Sequence, residues 1–96
     1  MKIIKRSGSE DIFDAAKIVA AIRKANNSVL DYEKLTADQI EEIASNVETA
    51  CENMKRSPSV EEIQDMVENQ LMDIKAHDVA RHYITYRYVQ SLKRQT

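Results

Sequence analysis

The sequence predicts a mostly α, α+β domain: a four-helix cluster capped by a small β-hairpin or three-stranded sheet. Three observations lead there. Apolar residues recur at helical spacing in four stretches, most of them behind recognisable N-cap residues. A chain of 96 residues with one glycine, one proline and 31% charged residues has too few turn formers for a strand-rich fold. The exception is the N-terminus, where β-prone residues flank the single glycine. At ~100–150 residues per domain, one domain is the natural count.

The elements follow in order, with strands expected at about 2–6 and 11–13 and helices at about 14–26, 36–54, 59–72 and 77–93. Lys2 to Arg6 is short and β-prone, Ser7-Gly8-Ser9-Glu10 signals a turn with Gly8 at positive φ, and Asp11-Ile12-Phe13 returns. Such a hairpin is marginal alone and must lie on the helices. Asp14 caps the first helix, whose apolar positions are Ala15, Ile18, Val19, Ile22 and Ala25, and Asn26-Asn27-Ser28 ends it. Thr36 with Gln39 forms a capping box for the second, with Ile40, Ile43, Ala44, Val47, Ala50, Cys51 and Met54 as its stripe. Ser57 before Pro58 favours an extended segment, a candidate third strand. Ser59 with Glu62 opens the third helix, striped by Val60, Ile63, Met66, Val67 and Leu71. The link from Met72 to His77 has no strong breaker, and the last helix starts near Asp78.

Composition excludes several chemistries. One cysteine makes neither an internal disulfide nor a cysteine-based zinc site, and Cys51 falls on an apolar stripe as a core residue. One glycine cannot build a glycine-rich phosphate loop. His77 and His82 lie ~140° apart on a helix, which is no shared metal face. No apolar run approaches the ~18 residues of a membrane span, no targeting segment is visible, and the lone cysteine suits a reducing cytoplasm. No set of serine, histidine and acid supports catalysis, so an enzyme acting alone is not expected.

The net charge of −2 conceals an uneven distribution. Residues 1–30 sum to +3, residues 31–80 to −9 and residues 81–96 to +4. Basic ends that meet in space would form a local anion site on an acidic protein, whereas a nucleic-acid surface needs a basic stripe without so much acid. If the hairpin folds over the first helix, Lys5 or Arg6 converges with Lys17 beside the free N–H groups of the helix start. Cations plus N–H donors suit a polyphosphate. Asp11 and Asp14 could accept from ribose hydroxyls or hold the cations, and the strand edge at Ile3 could read a purine. The bland alternative is solvated surface charge.

The strings Lys5-Arg6-Ser7-Gly8, Glu10-Asp11-Ile12-Phe13-Asp14 and Lys17-Ile18 resemble the opening of the ATP-cone domain. Val60 to Glu68 resembles its third-helix segment, and Val79-Ala80-Arg81-His82-Tyr83-Ile84-Thr85-Tyr86-Arg87 its last helix. The resemblance spans nearly the whole chain. It implies a regulatory nucleotide-binding module of ribonucleotide reductases, in which ATP permits activity and dATP shuts it off, usually through subunit assembly. The tail with Tyr83 and Tyr86-Arg87 looks most like the anaerobic, glycyl-radical class.

By that resemblance Lys5 and Arg6 contact phosphate, Lys17 is the helix-one lysine, and the backbone of Ile3 meets the base. Asp11 stands where the family often has Glu, Asp14 where it has Asn, and Gln64 where some members have His. Val60 replaces a hydroxyl residue, and Arg87 is the candidate late cation. The implied effector is ATP or dATP, which can carry Mg. The implied partners are the catalytic domain of the same reductase chain and further copies in a nucleotide-dependent oligomer, with no nucleic acid or membrane. Two other readings are the cone of a transcriptional repressor of reductase genes and a ligand-free helical interaction domain. The repressor family places a zinc ribbon before its cone, which a single cysteine cannot make.

Overall fold

The computed structural model describes residues 1–95. Strands β1 (Lys2–Ile4) and β2 (Glu10–Ile12) form an antiparallel hairpin, followed by helices α1 (Ala15–Asn26), α2 (Ala37–Glu52), α3 (Val60–Asp73) and α4 (His77–Gln95). This is the expected α+β architecture. The helices pack in a ring, α1 and α3 each touching both α2 and α4.

The strands are shorter than their β-prone sequence implies. β1 stops at Ile4, because Lys5 N–H donates to Ser9 O and Gly8 N–H to Lys5 O, each at 2.8 Å, closing the turn earlier. Gly8 holds φ 89° there, a conformation that a side chain disfavours. The register pairs Lys2 with Ile12, Ile3 with Asp11 and Ile4 with Glu10. The expected third strand reduces to one parallel bridge between Ile4 and Ser59. Ile4 N–H donates to Pro58 O at 2.9 Å. Proline has no N–H to extend a ladder, and Ser59 is already the N-cap of α3.

The core draws on every helix. Ile18, Ile22 and Ala25 of α1 meet Ile40, Ile43, Ala44, Val47 and Cys51 of α2, Ile63, Val67 and Leu71 of α3, and Val79, Ala80 and Tyr83 of α4. Burying each large aliphatic contributes roughly 1.5–3 kcal/mol. Ile3 and Phe13 pack from the hairpin onto that cluster. Among the described residues Asn26, 8% exposed, is the buried polar exception. Its side chain donates to Leu35 O at 3.1 Å and accepts from Leu35 N at 2.8 Å, pinning the loop between α1 and α2.

The starts of α1, α2 and α3 are set by side chains. Asp14 accepts from Ala16 N, and Thr36–Gln39 and Ser59–Glu62 close reciprocal capping boxes. The join of α3 to α4 is a Schellman turn, with Ala76 N–H donating to Leu71 O and Lys75 N–H to Met72 O, each at 2.9 Å. Lys75 occupies the left-handed position at φ 62°. Glycine is the usual occupant there, so the turn lacks its ordinary sequence marker. Lys75→Gly should therefore raise stability by ~1 kcal/mol, visible as a rise of about 4–8 °C in the melting temperature.

Glu62 also takes a bidentate bond from Arg56, at 2.8 and 2.6 Å. That guanidinium, helped by Ser59 N–H, lowers its pKa from 4.5 to about 2. A carboxyl lowered in the folded state stabilises fully above its unfolded pKa, and the effect fades as pH falls toward the folded value. Glu62→Gln keeps an acceptor for the cap but does not titrate. Its melting temperature should lie below the parent's at pH 7, and the gap should close between pH 4.5 and pH 2.

Candidate functional site

A cavity of about 620 Å³ opens where the hairpin overhangs the start of α1. Its walls come from the hairpin, from Asp14 and α1, from Val60, Ile63 and Gln64 of α3, and from Tyr83 and Tyr86 of α4. Among the described lining residues, α2 supplies none.

The polar end lies under the hairpin. Lys5 Nζ and Lys17 Nζ both approach Asp11 Oδ2, at 3.6 and 4.0 Å. Asp11 Oδ1 meanwhile accepts from Ile12 N at 2.8 Å. That backbone N–H, with the charges of both lysines, lowers the Asp11 pKa below its ordinary 3.8 despite some desolvation. One ionised carboxylate thus gathers two ammonium groups from different elements. The first turn of α1 contains no acidic residue, so its N–H groups add to the positive field.

Arg6 lies at the tip of the hairpin turn and also lines the cavity. Its Nε donates to Glu61 Oε1 at 2.9 Å and its Nη1 to Ser91 Oγ at 2.6 Å, tying the hairpin to both α3 and α4. The Arg6 hydrogen bond is the main cause of a lowered Glu61 pKa.

Of the residues singled out from the sequence, Ile3, Lys5, Arg6, Asp11, Asp14, Lys17 and Gln64 line this cavity. Asp14 spends one carboxylate oxygen on the α1 cap, 3.0 Å from Ala16 N. Arg87 does not line the cavity. Its Nη1 reaches Asp65 Oδ1 and Glu68 Oε1, both at 2.8 Å, so it serves as an ion-paired strut between α4 and α3.

Sequence reasoning missed Lys24 as a wall residue. It stands seven positions after Lys17, on the same stripe and ~10 Å further along α1, with Ala20 and Ala21 forming a low floor between them. Lys24 Nζ donates to Tyr86 Oη at 3.1 Å and lies 5.1 Å from that ring's centroid. The sevenfold spacing is a readable signal, but a lysine in a last helical turn is ordinarily explained by the helix dipole. Tyr83, beside it, is buried, and that burial pushes its phenol pKa up to about 12, so it stays neutral.

The arrangement can hold an extended polyanion. Lys5, Arg6, Lys17 and Lys24 border one cleft with apolar walls at Ile3, Phe13 and Ile63. A nucleoside polyphosphate matches both features, charge along α1 and a flat apolar body between hairpin and α3.

The chain matches the ATP cone domain over residues 1–92. It is 33% identical over 95 residues to the ribonucleoside-diphosphate reductase subunit alpha of Chlamydia trachomatis, covering 91% of this chain and 9% of that protein. It is 40% identical over 91 residues to the vitamin B12-dependent ribonucleoside-diphosphate reductase of Thermoplasma acidophilum, covering 90% and 11%. With the anaerobic ribonucleoside-triphosphate reductase of Haemophilus influenzae it shares 33% identity over 94 residues, covering 97% and 13%. The chain therefore spans only about a tenth of the length of these relatives.

The shared Asp11 oxygen yields a test. Asp11→Asn keeps an acceptor for Ile12 N–H but removes the charge that competes for Lys5 and Lys17. Inorganic tripolyphosphate should bind roughly two- to fivefold more tightly to this variant by calorimetry.

Proposed function

The chain belongs to the ATP-cone family, and from that membership we propose that it is a nucleotide sensor governing a ribonucleotide reductase. The convergence of Lys5, Arg6, Lys17 and Lys24 on one cavity under the hairpin carries this reading. ATP or dATP would lie along α1, its phosphates drawing on these cations and its base against the hairpin edge near Ile3. Mg would arrive bound to the phosphates, since it is commonly held by substrate phosphates plus one or two carboxylates.

The module itself does no chemistry in this proposal. It converts occupancy into a change of packing or assembly that the catalytic part of the same reductase reads. ATP and dATP differ by one 2′-hydroxyl, and a ligand shifts a conformational equilibrium only by its difference in affinity for the two states. Asp11, Asp14 and Gln64 are the cavity residues suited to sense that hydroxyl. Arg6 is suited to relay the signal, because a phosphate that recruits its guanidinium competes with Glu61 and Ser91, and so with the tie between hairpin, α3 and α4.

The relatives include three reductase types, so the choice among them rests on the tail. Tyr83, Tyr86 and Arg87 favour an anaerobic ribonucleoside-triphosphate reductase, acting in the cytoplasm in deoxyribonucleotide supply for DNA replication. No helix among the described residues is long and apolar enough to cross a membrane.

Titration with ATP, dATP and GTP by calorimetry, with mass measured in each state, tests the sensor. Adenine nucleotides should bind and raise the melting temperature, because a ligand selective for the native state must stabilise it. Lys5→Ala with Lys17→Ala should abolish ATP binding while the melting temperature without ligand stays nearly constant. Unchanged affinity in that double variant removes the site assignment.

A further inference from the structure

Among the described residues four cations border the cavity, and three of them face a carboxylate. Lys5 and Lys17 share Asp11, and Arg6 holds Glu61. Lys24 differs. Among the described residues its ammonium forms no ion pair; it donates to Tyr86 Oη at 3.1 Å and stands 5.1 Å from that ring's centroid. A hydroxyl and a ring face hold an ammonium group more weakly than an anion does. Lys24 is also exposed, so its side chain can turn without unpacking the core.

Position makes this weak contact informative. Lys17 and Lys24 lie on one stripe of α1, ~10 Å apart along its axis. Between them Ala20 and Ala21 line the cavity with single methyl groups, and α1 contains no acidic residue. A phosphate chain that begins at Lys5 and Lys17 can therefore run over a low floor along the helix. Two phosphates anchored there stop short of Lys24, and a third extends toward it.

We propose that Lys24 determines the length of phosphate chain that this cleft prefers: it leaves Tyr86 to hold the terminal phosphate of a triphosphate, and it stays on Tyr86 beside a diphosphate. The inference rests on the polyphosphate site proposed above and adds selectivity within it. It also gives the third phosphate a structural consequence. Tyr86 belongs to α4, so the exchange removes a tie between α1 and α4 that a diphosphate leaves intact.

Calorimetry with inorganic tripolyphosphate and pyrophosphate, on the 96-residue chain and on Lys24→Met, tests this. Methionine keeps the apolar stem and removes the charge. Tripolyphosphate should bind Lys24→Met about five- to tenfold more weakly, and pyrophosphate should change by less than about twofold. Lys24→Arg should retain the parent's preference for tripolyphosphate. With the tyrosine rings isotope-labelled, tripolyphosphate should move the Tyr86 resonances and pyrophosphate should leave them in place. An equal loss for both anions, no loss for either, or equal Tyr86 shifts overturns the proposal. The double variant Lys5→Ala with Lys17→Ala separates the two levels. If it loses both anions while Lys24→Met keeps the parent's preference, only the role of Lys24 fails. If it binds both as tightly as the parent does, or the parent binds neither at ~1 mM, the polyphosphate site itself fails.

Discussion

One backbone hydrogen bond, Ile4 N–H to Pro58 O, anchors the hairpin that brings Ile3, Lys5, Arg6 and Asp11 to the cavity. Two three-residue strands cannot persist by themselves in water. They hold because Ile4 joins the buried Pro58 at the entrance to α3, while Ile3 and Phe13 pack on the core. That seating carries the hairpin turn over α1 and α3. Arg6 then meets Glu61, and Asp11 comes between Lys5 and Lys17. The short strands position these groups without contributing much stability of their own.

The ion pairs in this region are partner exchanges in waiting. Lys5, Arg6 and Lys17 each already face a carboxylate, and their side chains are 52%, 45% and 74% exposed. Exposed pairs of this kind contribute little to folding, roughly 0–1 kcal/mol each. A polyanion entering the cavity therefore displaces weak pairs, and it inherits cations that are already gathered.

The helices were legible because their signals are local. Thr36 and Ser59 carry their own capping partners three residues on, and the stripes through Ile43, Val47, Val67 and Leu71 keep helical period. The hairpin was legible from Gly8, although its turn closes over Lys5 to Gly8, starting two residues ahead of the Ser7-Gly8-Ser9-Glu10 string that marked it. What the sequence concealed depends on tertiary placement. The extended segment ending at Pro58 reads as a candidate third strand, yet only the Pro58 carbonyl is used, beside a single bridge from Ile4 to Ser59. Lys75 makes a glycine-type turn without glycine, supported by the two backbone bonds around it. Arg87, the late cation that the resemblance implies, lies outside the cavity lining, and Lys24, unassigned from the sequence, lies in it. Arg87 is drawn to Asp65 and Glu68 across the α3–α4 seam, and Lys24 reaches the cavity by lying on the same stripe as Lys17.

The absence of α2 from the described cavity wall bears on how fast the proposed nucleotide would arrive. Most of the surplus negative charge lies between residues 31 and 80, where α2 contributes Asp38, Glu41, Glu42, Glu48 and Glu52. The cations lie across the molecule, under the hairpin. A diffusing triphosphate would be repelled from the α2 side and drawn toward the α1 side within a Debye length of about 8 Å at physiological salt. The charged side chains lining the cleft sum to +2, from Lys5, Arg6, Lys17 and Lys24 against Asp11 and Asp14, whereas α2 carries five acids and no base. The weak overall charge therefore conceals a local contrast, which would favour encounter of an anion with the cleft over encounter with α2.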